Sequence, residues 1–325
     1  MTTDFKQLPA VDLSPINSWT VDDNVTPAIS HLASQLRTVF ETTGFAYIVN
    51  HGVQHDHQAI NSMARNFFQM PLEKKMSVAV KSANPNNKNT YRGYFPTHDN
   101  ADSFKEGFEI GPFEANDGKA RTPTPKINLL EVNVWPLDSD DLQKQLKSYY
   151  TQCRKLGEKI MALVAIGFQL DKNYFQQHFN DTISTLRILH YPQRATSDTS
   201  MLSCSSHTDS GILTILYVDP TGGLEVQNSC DEWVRVPYVP ESFVINLGDL
   251  MSRWTRGRFV ATRHRVLRVS QSRISVPFFF EPNVDALIEP LNVVSDGDGD
   301  TWPSVVYGDY LIRKMTTEFV EYQNV

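Results

Sequence analysis

The 325-residue sequence is short of cysteine, of long apolar runs and of surplus positive charge, and each shortage closes off a class of protein. Its three cysteines, Cys153, Cys204 and Cys230, lie far apart and form no Cys-x-x-Cys pair. Neither a disulfide framework nor a zinc ribbon is expected, and a reducing compartment suits the chain. The longest mostly apolar stretch, Ile160 to Leu170, is about half of the roughly 20 residues that span a bilayer, and no basic segment leads into an apolar one at the N-terminus. A cytoplasmic protein with no membrane partner is the expectation. Lysine and arginine number 30 against 37 acidic residues, a net charge of −7 that argues against nucleic acid as a partner. No internal repeat or low-complexity segment is evident, and an apolar fraction of 40% is ample for a large core.

What is present begins with helical spacing. Thr26 can cap and Pro27 can start a helix that carries Ile29, Leu32, Leu36, Val39 and Phe40 on one face and stops at Gly44. FAYIVN then reads as a strand and residues 55 to 70 as a second helix. Residues 81 to 127, rich in Pro, Gly, Asn and Asp, read as an extended loop region that could cover a site. Asp138 to Leu170 is the longest helical stretch, capped by Ser139 or Asp138 and expected to pack on a sheet. After about residue 183 come short β-rich runs, among them TLRILHY, GILTILYV, SFVINL and RISVPFFF, followed by a last helix from about Tyr307 to Val320. The expected fold is mainly β with flanking helices, in one domain over 1–325. Its helix-rich part runs to 182, its main strands from 183 to 285, and a C-terminal segment from 286.

The β-rich half also carries the chemistry. His207-Thr208-Asp209 places an imidazole and a carboxylate two residues apart, on one face if the strand is extended. His264 offers a third ligand, and Arg273-Ile274-Ser275 follows, with a guanidinium and a hydroxyl on one strand face as a clamp for a carboxylate. Two imidazoles and one carboxylate with open positions define the facial site of non-haem Fe(II) oxygenases, whereas three-ligand zinc sites usually serve hydrolysis. The neighbouring carboxylate clamp favours iron.

The series HTDSG, GGLEVQ, FVINLGDLMSRWTRGRF, ATRHRV, RIS and PFFFEPN resembles the isopenicillin N synthase-like branch of the 2-oxoglutarate- and Fe(II)-dependent oxygenases. GFAYIVNHGV and YRGYFP extend the likeness to most of the chain. The resemblance implies a double-stranded β-helix, or jelly roll, with His207, Asp209 and His264 as catalytic iron ligands. It implies Arg273 and Ser275 on the distal carboxylate of 2-oxoglutarate, and Tyr191 as a further cosubstrate contact. Leu189 stands where plant members often have Asn. The activity implied is dioxygen-dependent oxidation of a C–H bond of a small metabolite, hydroxylation first and desaturation or cyclisation as variants, with succinate and carbon dioxide released. Competing readings are an isopenicillin N synthase-like oxidase that does not use 2-oxoglutarate, and a non-catalytic receptor on the same fold. A receptor has no need of three metal ligands.

Arg187 shares strand parity with Tyr191 and is a candidate for a substrate carboxylate or carbonyl, with Tyr91, Arg92 and Phe279 as further pocket candidates. Seven arginines and no acid lie between residues 250 and 280; of these Arg263 and Arg265 flank His264 and are expected to face away from the metal. His51, His55 and His57 read as a surface cluster, and His190 as a strand histidine facing away from Tyr191. The run Asp296 to Asp300 lacks the Gly and Glu of a calcium loop and reads as a solvated turn. A monomer or weak dimer is expected.

Overall fold

The Thr26 side chain accepts a hydrogen bond from the Ile29 amide and Pro27 fills the first turn, so α1 (Pro27–Thr42) starts where its capping residues place it. Gly44 follows at φ +65°, where a Cβ would meet the Val260 carbonyl at 2.3 Å; only glycine lets the chain turn there into β2 (Phe45–Val49). The computed structural model describes residues 2–54, 56–97, 103–113, 127–193, 201–292 and 302–318. The other strands are β1 (Ala10–Asp12), β3 (Gly93–Phe95), β4 (Glu106–Ile110), β5 (Thr185–Tyr191), β6 (Leu202–His207), β7 (Leu213–Val218), β8 (Leu224–Gln227), β9 (Trp233–Arg235), β10 (Phe243–Leu247), β11 (His264–Leu267), β12 (Arg273–Phe280), β13 (Leu287–Ile288) and β14 (Val305–Val306). The other helices are α2 (His57–Phe68), α3 (Leu72–Met76), α4 (Asp140–Gly167), α5 (Asp249–Trp254) and α6 (Tyr307–Glu318).

Eight strands form one sheet in the order β1-β2-β10-β7-β12-β5-β4-β3, and four form a second in the order β6-β11-β8-β9. The fold is the jelly roll. Alternation along β12 shows how one strand serves two environments. Ile274, Val276, Phe278 and Phe280 join the core under the helices, where Gly157 of α4 lies so close to the Phe280 ring that a Cβ would meet it at 2.5 Å. Arg273, Ser275, Pro277 and Phe279 face the other way, into a cavity between the sheets. Each large apolar side chain fully buried in the helix-side core contributes about 1.5–3 kcal/mol, which is what holds the helices to the sheet.

Several elements differ from the sequence expectation for physical reasons. The region 81–127 supplies β3 and β4, which extend the larger sheet beyond β5. Its buried acids are held by partners rather than announced by an apolar pattern: Glu106 accepts from Lys75 (2.7 Å), Tyr94 (2.5 Å) and His190 (2.8 Å), and Glu109 pairs with Arg187. Ser139 stands at the α4 N-cap position but donates to the Pro136 carbonyl at 2.7 Å, and no side-chain cap forms. His51 stacks on Phe243 (ring centroids 4.2 Å), and the buried His57 bonds Tyr238 (3.1 Å), so these two histidines serve packing. His55 and the Asp296–Asp300 run lie outside the described residues.

Candidate active site

β6 ends at His207 and β11 begins at His264, and the two are register partners across the smaller sheet, with ring centroids 4.3 Å apart. Asp209 lies beyond the end of β6, not on it. Its placement comes from the start of α5: the Asp249 amide donates to the Asp209 carbonyl at 2.7 Å, and the Leu250 amide to that of Ser210 at 3.3 Å. Asp209 Oδ1 then sits 3.9 Å from His207 Nε2 and 3.6 Å from His264 Nε2.

Each donor is aimed by a second contact. The Nδ1–H of His207 donates to the Ser205 carbonyl (2.8 Å) and that of His264 to the Thr262 carbonyl (3.2 Å); a carbonyl only accepts, so in the neutral rings both lone pairs are on Nε2, toward Asp209. Asp209 Oδ2 accepts from Thr214 Oγ1 (2.5 Å) and Asn246 Nδ2 (2.7 Å), which leaves Oδ1 for the centre of the triad. Burial works to raise the Asp209 carboxyl, but the two imidazoles and these two donors outweigh it and keep the group ionised. Burial, with His207 next, pushes the His264 imidazole down to about 4, so it stays neutral with its lone pair available, whereas against its own burial His207 is drawn up to about 9 by Cys204 and Asp209 and must give up its proton to act as a ligand. Among the described residues these three form the one group of histidine, cysteine and acidic side chains with metal-ligand proximity.

The triad lines a cavity of about 620 Å³ between the sheets. On the larger sheet Arg273 is opposite Tyr191 and Ser275 opposite Leu189. The Arg273 guanidinium is 1% exposed, lies 4.9 Å over the Tyr191 ring and spends Nε on the Gly222 carbonyl at 2.7 Å. Its Nη1 is buried with no hydrogen-bond partner among the described residues. A buried cation with an unspent N–H beside a triad of nitrogen and oxygen donors suits a carboxylate ligand next to a hard or borderline metal.

Sequence comparison agrees. Residues 182–282 match the model of the 2OG-Fe(II) oxygenase superfamily, and residues 8–138 the N-terminal model of non-haem dioxygenases in morphine synthesis. A 2-oxoglutarate-dependent dioxygenase of Monascus ruber is 31% identical over 328 residues, covering 96% of this chain and 95% of its own length. The chain belongs to the 2-oxoglutarate- and Fe(II)-dependent oxygenases. A homoarginine-6-hydroxylase of Oryza sativa subsp. japonica is 29% identical over 98% of the chain and 100% of its own length. The crystal structure of a Neurospora crassa protein in complex with alpha-KG (2-oxoglutarate) and 5-formyluracil superposes with a TM-score of 0.79 at 26% identity, covering 97% of each chain. The protein is thus a dioxygenase with Fe(II), 2-oxoglutarate and dioxygen as its reactants and cofactors, and none of its described helices is long and apolar enough to cross a membrane.

The oxygenase's remaining candidate residues fall at different places. Arg187 lines the cavity, paired with Glu109 and 5.4 Å over the Phe279 ring, which lines it too. Tyr91 lines a smaller recess beside the triad. Arg92 lines neither: it is fully buried and donates to Thr185 Oγ1 (2.7 Å) and to the carbonyls of Ile183 and Ile110, a role in holding strands together. Arg263 corrects another expectation. It lies just before β11, where alternation does not apply, and it lines the cavity while bonding Ser206. Arg265, inside the strand, faces away onto Glu225 and Trp233. Thr214 and Asn246 escaped sequence reasoning, although a polar residue at an inward position of ILTIL and FVINL is a readable signal. They are register partners on β7 and β10, side by side under Asp209.

Proposed function

We propose that this oxygenase hydroxylates a C–H bond of a small metabolite, with His207, Asp209 and His264 holding Fe(II) and Arg273, Ser275 and Tyr191 holding 2-oxoglutarate. Arg187, Tyr91 and Phe279 are proposed to contact the substrate. The observation that carries this reading is the pairing, in one cavity, of the converging triad with the unspent Nη1 of the buried Arg273. The donor set fits Fe(II), and the lone guanidinium fits the distal carboxylate of the cosubstrate. When bound, iron and 2-oxoglutarate supply the oxidising chemistry, in which dioxygen is divided between succinate and product.

The chain's own residues bind, orient and exclude. Thr214 and Asn246 hold one oxygen of Asp209 so that the other faces the metal, and the Ser205 and Thr262 carbonyls fix the two rings. Leu189, Leu216 and Val266 wall the cavity with apolar surface and limit water around the reacting groups. A volume of about 620 Å³ is in the range of small-molecule sites. The named hydroxylase relative and the 5-formyluracil complex support a small substrate. Screening metabolite pools for compounds that stimulate succinate release, with mass spectrometry of the product, tests the reading. A gain of one oxygen atom is expected, and loss of two hydrogens instead would contradict hydroxylation.

A further inference from the structure

The inward face of β12 continues one residue past the strand. Arg273, Ser275, Pro277 and Phe279 line the cavity, and Glu281, next in the same alternation, lines a recess of about 90 Å³ that also touches His207 and Asp209. From Arg273, opposite Tyr191, to Phe279, opposite Thr185, the row runs about 20 Å at the usual rise per residue, so cosubstrate clamp and recess are at opposite ends. Leu311 and Met315 of α6 close the recess.

Two polar atoms on its lining lack hydrogen-bond partners among the described residues: Glu281 Oε2 and Ser210 Oγ. Glu281 is 5% exposed and Ser210 9%. A buried carboxyl oxygen left unpaired is destabilising; the Tyr307 hydroxyl neighbours Glu281 but makes no hydrogen bond of ordinary geometry among the described residues either, so Oε2 is open to a donor that enters the recess. Charge narrows the class. The ionised groups that act on Glu281 are Arg92, Arg187 and Glu109. Arg187 is already paired with Glu109, and Arg92 directs its two terminal nitrogens to Thr185 and two carbonyls. Burial pushes the Glu281 carboxyl itself up to about 7, which shows how poorly this site bears charge; a further ion would meet the same desolvation cost on entering, whereas a neutral group would not. Phe279 adds an aromatic ring to the lining, with the Arg187 guanidinium 5.4 Å over it, a combination that suits a planar group.

We propose that the recess is a subsite for a neutral, planar amide-type group of the substrate, whose N–H donates to Glu281 Oε2. The inference rests on the function proposed above and adds a specificity-determining residue to it. Arg187, at the junction of recess and cavity, is placed to donate to the carbonyl of the same group.

Benzamide, benzoate and benzamidinium share one shape and differ in charge, and acetophenone has the shape of benzamide without the N–H. Titrated calorimetrically into the full chain with Fe(II) and 2-oxoglutarate under anaerobic conditions, benzamide should bind more tightly than either ion. Acetophenone should bind about tenfold more weakly than benzamide, and Glu281→Leu should weaken benzamide about tenfold and abolish that difference. Glu281→Gln keeps an acceptor oxygen and should stay within about threefold of wild type. Preference for either ion, equal binding of benzamide and acetophenone, or no binding of any probe overturns the proposal, and the wild-type comparison decides it even if the leucine variant does not fold. Succinate release from 2-oxoglutarate by the wild-type chain separates the two failures. Its absence contradicts the function, while its presence with indifferent probes contradicts the recess alone.

Discussion

Replacing Arg273 by leucine should raise the KM for 2-oxoglutarate about 10- to 100-fold. The guanidinium is buried and already bonded through Nε to the Gly222 carbonyl, so it is fixed before any ligand arrives. Its Nη1 has no partner among the described residues. A carboxylate reaching that atom gains a charge-assisted hydrogen bond worth about 1.5–3 kcal/mol, and 1.4 kcal/mol corresponds to a factor of about ten. Leucine deletes the bond and the charge together. Lysine restores charge without the planar fork or the Nε bond, and should recover only part of the loss. The assay is succinate formation as a function of 2-oxoglutarate concentration, with kcat measured at saturation. An unchanged KM, within about threefold of wild type, or a loss confined to kcat would refute the assignment of Arg273 to the cosubstrate.

Thr214→Val removes one of the two donors that orient Asp209 and should weaken Fe(II) binding about 10- to 100-fold, read by metal titration of the stripped protein. Gly248→Ala should do comparable damage from outside the cavity: a Cβ there would meet the Gly211 carbonyl at 2.4 Å and that of Asp209 at 2.7 Å, forcing the ligand loop off α5; metal content after purification reads it. Glu106→Gln should cost about 3 kcal/mol at pH 7 in a urea melt, because Lys75 is left buried beside a neutral partner. Burial works against the Glu106 carboxylate, but bonds from His190, Lys75 and Tyr94 hold its pKa below the 4.5 usual for a glutamate. That contribution is therefore complete above about pH 4.5 and lost as pH falls through the lower, folded value. The gap between wild type and variant should shrink on acidification; a gap that widens in acid contradicts the network.

The parts of this molecule that repeat with a period were legible in its sequence. The stripe of α1 and the in-out alternation of RISVPFFF follow directly from residue spacing, and they set the two faces of the larger sheet. His207, Asp209 and His264 were readable as a candidate ligand set, and the structure brings them together, but the reason they converge was not readable. Extended-strand parity would have placed His207 and Asp209 on one face, whereas Asp209 is beyond β6 and is held by backbone amides at the start of α5, a tertiary contact that leaves no mark in spacing. Arg263 misled for the related reason that alternation was applied one residue outside a strand. β3 and β4 were missed because their buried positions carry Glu106, Glu109 and glycine, each neutralised or accommodated by partners distant in sequence.

Coupling of dioxygen consumption at the triad to 2-oxoglutarate is read by measuring dioxygen uptake and succinate release together, with Fe(II), 2-oxoglutarate and a stimulating metabolite. One succinate per dioxygen is predicted for the wild-type chain and neither change for His207→Ala or Asp209→Ala. Dioxygen uptake without succinate, or wild-type turnover by either variant with Fe(II) supplied, would contradict it.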